Sequence, residues 1–167
     1  MKIEIRHKTT NAVIIEGEAE SLKAFLATNR KYVNLVGADF RGANLQGIDL
    51  GGANLASTGF QDADLRGANL READLQVADL RGANLVTADL RGANLQRAML
   101  EGANLEASDL RLSDLRRADL EGAILVGSDL RGADLWSANF WGANLRDVRI
   151  NKTQQTELLR AMKVVIE

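Results

Sequence analysis

Ala78-Asp79-Leu80-Arg81-Gly82-Ala83-Asn84-Leu85-Val86-Thr87 is followed at 88–95 by Ala-Asp-Leu-Arg-Gly-Ala-Asn-Leu. A Leu returns every five residues, and the phase never slips. Followed outward, it runs from Leu35 through Phe40, Leu45, Leu50, Leu55 and Phe60 to Leu135, Phe140 and Leu145, with no insertion or deletion. That makes twenty-three consecutive units, twenty centred on Leu and three on Phe. A period of five is neither the 3.6 of a helix nor the 2.0 of a strand. A short fixed period sustained over most of a chain implies a solenoid, in which each unit stacks on others to bury its apolar face.

Each unit carries the same chemistry around its central residue, i. Position i−2 is Ala in seventeen units; the others hold Val33, Ile48, Thr58, Ser108, Ser113 and Ser128. Position i−1 is Asp or Asn in twenty, the exceptions being Gly59, Met99 and Ile124. In an extended stretch i and i−2 point to the same side, so a large residue fills the interior and a small one leaves room for it. Asp and Asn between them point outward and favour turns by bonding nearby backbone. Gly recurs at i+2, as at Gly42, Gly67, Gly82 and Gly92. A turn at nearly every unit accounts for it, since Gly accepts a positive φ without steric cost.

The pattern resembles the pentapeptide-repeat family, whose consensus is A(D/N)LXX, over residues 33–150. The resemblance implies an all-β solenoid, a right-handed four-sided parallel β-helix in which four units make one coil. Residues twenty apart would then stack. Phe40, Phe60 and Phe140 fall in one interior column on that rule; Arg71, Arg91, Arg111 and Arg131 share an outer one. With Ile150 as a degenerate last unit, the series makes about six coils and a rod roughly 24–29 Å tall.

The ends depart from the repeat. Lys2 to Arg6 alternates as a strand, Thr9 to Asn11 reads as a turn, and Val13 to Ile15 as a second strand closed by Gly17. Glu20 to Asn29 reads as a short helix with Leu22, Phe25 and Leu26 on one face. A hairpin and helix ahead of the repeats resembles cyanobacterial members of the family. At the other end, Asn151 or Thr153 can cap a helix to about Val164, with Leu158, Leu159, Met162, Val165 and Ile166 as its apolar face. An open coil end invites edge pairing, so both segments are expected as caps. The expected layout is one domain: a cap at 1–32, the β-helix at 33–150 and a helical cap at 151–167.

Composition narrows the function. Zero Cys removes disulfides, thiolate metal sites and cysteine nucleophiles. No apolar run approaches membrane-spanning length and no leader pattern opens the chain, so a cytoplasmic protein without membrane contact is expected. Residues 35–150 hold twelve basic and seventeen acidic side chains, a mildly acidic rod.

Enzyme chemistry has little to work with. The only histidine, His7, reads as a surface residue of the first hairpin. Ser108, Ser113 and Ser128 replace Ala in the interior and have no histidine partner. No dinucleotide or P-loop glycine spacing is present. The Asp residues recur in the fold's own rhythm rather than converging as an oxygen cage. Neither cofactor nor metal is expected, and the chain reads as a non-enzyme. The Arg71–Arg131 column suggests phosphate binding, but Asp89, Asp109 and Asp129 each precede an Arg by two residues, which reads as a surface ion-pair ladder.

The candidate interaction surface comprises Arg97, Arg116, Arg117 and Trp136, outward and adjoining, with Trp141 one unit further on. Trp and Arg are the types enriched in binding hot spots. Packing of both Trp residues beneath the C-terminal helix or its linker is the competing reading. The leading function is a structural and protein-interaction module with an unidentified protein partner. The alternative rests on the resemblance: some members of the family imitate DNA and bind DNA gyrase, a type II topoisomerase. A DNA duplex as long as this rod carries ~14–17 phosphates, whereas residues 35–150 net −5. Nucleic-acid binding itself would need a net basic face, which only the Arg97–Arg116–Arg117 cluster approaches.

Overall fold

The computed structural model describes residues 2–18, 20–29 and 34–162, with the backbone alone at residues 3 and 29. Val33, Val164, Val165 and Ile166, assigned above to the interior or to the C-terminal helix, lie outside the described residues.

Strands β1 (Lys2–Arg6) and β2 (Val13–Glu18) pair antiparallel, with an irregularity between Ile5 and Arg6. Glu4 lies directly opposite Glu16, and Lys2 Nζ reaches both carboxylates at 2.8 and 3.0 Å, offsetting their repulsion. Helix α1 (Leu22–Asn29) follows, and Phe25 and Leu26 are buried in the same cluster as Leu35 and Phe40. A Cβ on Gly17 would meet the Phe25 ring at 2.8 Å, so the missing side chain is what lets the helix close on the hairpin.

From residue 39 to 149 the backbone forms parallel bridges between positions twenty apart, such as Asn44↔Asp64, Asp64↔Asn84 and Asn84↔Asn104. The bridges fall in four series, one for each side of a twenty-residue repeat. Each side contributes an isolated bridge rather than a longer strand. The reason is the turn that interrupts every unit: the N–H of i−2 donates to the carbonyl of the preceding i, as in Ala68 to Leu65 at 3.0 Å. Every i+2 residue from Gly37 to Asp147 has φ between 54° and 76°, so each turn has the positive φ of a type II turn at its third residue. Twelve of these residues are Gly; the other eleven, Val77 and Thr87 among them, adopt the left-handed region without it.

The Asp/Asn preference at i−1 has a direct cause. Each of the twenty accepts, through Oδ1, the backbone N–H two residues on, at 3.0–3.3 Å. The side chain satisfies a donor that the ladder leaves over. At Gly59, where the pattern lapses, a Cβ would meet the side chains of Gln61 at 3.1 Å and Lys8 at 3.4 Å.

Inside, every central residue from Leu35 to Phe140 is buried, and Leu145 partly so. Ala at i−2 leaves little side chain to place between them, and Phe40 stacks on Phe60 with centroids 5.4 Å apart. The hairpin meets the first repeats edge-on. His7 bridges Ala38, Lys8 N–H donates to the Gly37 carbonyl at 2.8 Å, and Asp39 N–H donates to Arg6 at 2.8 Å. At the far end a 3-10 turn (Lys152–Gln154) leads into α2 (Gln155–Ala161). Buried Leu158 faces the core cluster, with Met162 packed against it. The Phe140 N–H donates to the Ala161 carbonyl at 3.0 Å.

Candidate functional site

The outer surface is built from i+1 and i+2, which form the corners, and i−1, which lies along each side. Wherever Asp at i−1 is followed by Arg at i+1, the two lock together. Seven pairs do so: Asp39–Arg41, Asp64–Arg66, Asp79–Arg81, Asp89–Arg91, Asp109–Arg111, Asp114–Arg116 and Asp129–Arg131. Nε meets Oδ1 at 2.8–2.9 Å and Nη2 meets Oδ2 at 2.5–2.7 Å, a bidentate fork. The fork hydrogen bonds hold the carboxyls of Asp89, Asp109, Asp114 and Asp129 below the usual carboxylate range, against the opposing pull of burial. At Asp79 burial is the larger influence and pushes upward, yet the Arg81 bonds leave the group lowered.

The Arg column is therefore a ladder. Arg91 also reaches Asp109 at 3.6 Å, Arg111 reaches Asp129 at 3.8 Å, and Arg149 reaches Asp129 at 3.3 Å. Arg71 differs because Asn69 stands where an Asp would pair with it, so it turns to Glu72 at 3.4 Å. Leu112, 74% exposed, lies beside this column and leans over Gly132.

The five residues of the candidate surface meet in part. Gln76, Gln96, Arg97, Arg116, Arg117 and Trp136 line one shallow depression of about 380 Å³. Arg116 is tied to Asp114 and lies 3.5 Å from Asp134. Arg97 and Arg117 form no ion pair among the described residues, and the Arg117 guanidinium lies over the Trp136 ring, 5.1 Å from its centroid. Trp136 and Trp141 are 52% and 54% exposed. A separate recess of about 260 Å³ lies between Trp136 and α2, lined by Glu157 and Arg160. Trp141 belongs to the next corner and does not line the depression.

Two contributors escaped the sequence reading. Gln76 and Gln96 line the depression as ordinary corner residues with no type preference to mark them; their twenty-residue spacing below Arg116 and Trp136 was the available signal. His7 is a junction residue rather than a plain surface one. Its Nδ1 accepts from the N–H groups of Thr9 and Thr10 at 3.3 Å, and a Cβ on Gly37 would overlap its ring. Among the described residues, no group of three or more His, Cys, Asp or Glu side chains could hold a metal ion, and no helix is long and apolar enough to cross a membrane.

The family of pentapeptide repeats matches this sequence in eight copies over residues 34–71, 73–111 and 113–151. Among solved structures, the pentapeptide repeat protein Rfr23 of the cyanobacterium Cyanothece 51142 is 30% identical; the match covers 75% of this chain and 96% of that one, with a TM-score of 0.49. A pentapeptide repeat protein of the Arabidopsis thaliana thylakoid lumen is 27% identical over 77% of this chain and 75% of its own, with a TM-score of 0.42. QnrB1, a plasmid-mediated fluoroquinolone resistance protein, is 18% identical over 77% and 88%, with a TM-score of 0.30. No curated protein matches the sequence. The gapless five-residue unit, the twenty-residue bridge spacing and the family match agree: this chain belongs to the pentapeptide-repeat family.

Proposed function

We propose that this protein is a non-enzymatic interaction module that presents a rigid face to a protein partner. In this reading the chain is one domain, a right-handed four-sided rod of about six coils, capped by the hairpin with α1 and by the turn with α2. Its setting is the cytoplasm.

The observation that carries the reading is the pair Trp136 and Trp141, each more than half exposed on adjacent corners, with Arg117 laid over one ring. An exposed aromatic with a cation on its face is a typical anchor for a partner surface. The ladder that fixes the backbone makes such a face rigid, so little ordering entropy is lost on binding. DNA imitation has less support. Seven Asp carboxylates are each forked by an Arg of their own unit, so these acids do not stand free as phosphates do.

The test is affinity capture from a lysate of the source organism, with the parent beside a Trp136→Ala/Trp141→Ala/Arg116→Ala variant whose fold is checked by circular dichroism. A partner held by the parent and lost by the folded variant is the expected result. A partner held equally by both would place the site elsewhere.

A further inference from the structure

We infer that the depression at Gln76, Gln96, Arg97, Arg116, Arg117 and Trp136 binds an acidic segment of a protein partner, a short peptide stretch with a carboxylate beside an apolar or aromatic residue. The inference rests on the interaction-module reading and names the chemistry of its partner.

Three observations point there. First, no carboxylate lines this depression, although the rod is acidic. Three recesses elsewhere among the described residues do include an acid: Glu72 beside the Arg column, Glu157 beside α2, Glu4 and Asp39 at the hairpin. Second, Arg97 and Arg117 occupy the same corner one coil apart, so their backbones are ~4.8 Å from one another. Neither forms an ion pair among the described residues, whereas Arg91, Arg111 and Arg131 each have an Asp fork. Two like charges on neighbouring coils, neither paired with a carboxylate, favour an anion shared between them. Third, Trp136 stands beside this pair, half exposed, with Arg117 over its ring. The amides of Gln76 and Gln96 border the lower end. Gln96 Nε2 donates to Asp114 at 2.8 Å, while its Oε1 is an acceptor suited to a peptide N–H.

The charge balance selects a peptide over nucleic acid. Three cations line the depression, but Arg116 is already engaged by Asp114, and Asp134 stands beyond it. A polyanion tracking the rod would run past Glu101 and Glu121 on the next corner. One or two carboxylates on an extended segment match the two guanidiniums that lack a carboxylate partner, without that repulsion.

The test uses the full chain and dye-labelled peptides followed by fluorescence anisotropy. The probes are Glu-Asp-Phe-Glu-Asp, its amide counterpart Gln-Asn-Phe-Gln-Asn, and a short labelled DNA duplex. The acidic peptide is expected to bind, to weaken as salt rises, and to lose roughly tenfold in affinity with Arg97→Gln/Arg117→Gln. Trp136→Ala should weaken it too, while Arg66→Gln, on another corner, should leave it unchanged. Equal binding of the amide peptide, no binding of the acidic one, or tighter binding of the duplex would each overturn the inference. If any of these occurs while lysate capture still depends on Trp136 and Trp141, the interaction module stands and only the acidic-segment reading fails. If capture is also indifferent to those residues, both fail.

Discussion

The side-chain amide of Gln154 donates to the Ala133 carbonyl at 2.8 Å, in place of a backbone bond. Along the ladder each i−1 N–H donates to the carbonyl twenty-one residues earlier, as Asp134 does to Ser113 at 2.9 Å. One coil on, that donor would be the N–H of residue 154. Gln154 instead turns its N–H back to Asn151 at 3.0 Å and supplies the missing donor from its side chain. Its Oε1 accepts from Gly132 at 3.3 Å, where the ladder would have offered the Asn151 carbonyl, and its Nε2 also reaches Leu130 at 2.7 Å. A primary amide thus imitates a peptide group at the end of the rod.

Gln154→Ala should therefore destabilise by about 1–3 kcal/mol, because buried carbonyls lose their donor. Gln154→Glu should be worse, since a carboxylate would face two carbonyl oxygens at that site. Thermal melts of the two variants check the order. A Glu variant as stable as the parent would show that the amide is not the sealing group.

Ser113 and Ser128 bury hydroxyls that have no partner among the described residues, while Ser108 Oγ donates to Leu105 at 2.7 Å. Ser113→Ala and Ser128→Ala should each stabilise by up to about 1 kcal/mol, and Ser108→Ala should not. Urea midpoints of the three variants separate these outcomes.

Val77 has φ of 58° at i+2, the position that Gly fills in twelve of the units. A β-branched residue is strained there. Val77→Gly should raise stability by about 0.5–1 kcal/mol, the reverse of the usual penalty for a Gly. Gly82→Ala should lower it, because φ is 66° there and a Cβ is strained at that conformation. Melting temperatures moving in the other direction would mean that the turn conformation relaxes freely.

Leu90→Asp should abolish cooperative folding, as it places an unpaired charge in the interior of stacked coils. Leu90→Ala should cost about 2–5 kcal/mol. Arg91→Ala should cost no more than about 1 kcal/mol, its fork being partly solvated. Urea denaturation of the three variants would expose any error in the inside/outside assignment.

Acid should weaken the fold through the forked aspartates. Their folded pKa values lie below the unfolded ones, so their contribution is complete above the unfolded value, near ~3.9, and is lost as pH falls through the folded values. Stability should be flat from neutral pH down to about 5 and decline below about 4. Asp129, 4% exposed and approached by three Arg side chains, should contribute strongly to that decline. Asp129→Asn should flatten the acid limb of the melting profile; an unaltered limb would place the titration elsewhere.

The repeat itself was legible residue by residue. Leu at i, Ala at i−2 and Asp or Asn at i−1 each answer a demand that recurs every five residues, and a demand repeated that often leaves a compositional trace. Local pattern also located the hairpin and both helices to within a few residues. The positions that occur once were not legible. Gln154 reads as a helix residue until the open ladder beneath it is seen. Gly59 reads as a lapse, and the repeat gives no sign that Lys8 and Gln61 lie near it. The pairing of Asp with Arg two residues on was visible, but its consequence was not: with those cations engaged, Arg97 and Arg117 are left without a carboxylate. The exposure of Trp136 and Trp141 depended on where α2 came to rest, which no periodicity dictates. Short-range hydrogen bonding and side-chain volume determined the unit from the sequence alone. Contacts between residues twenty or more apart, and between the rod and its ends, decided which side chains remain free to bind, because only packing brings such residues together.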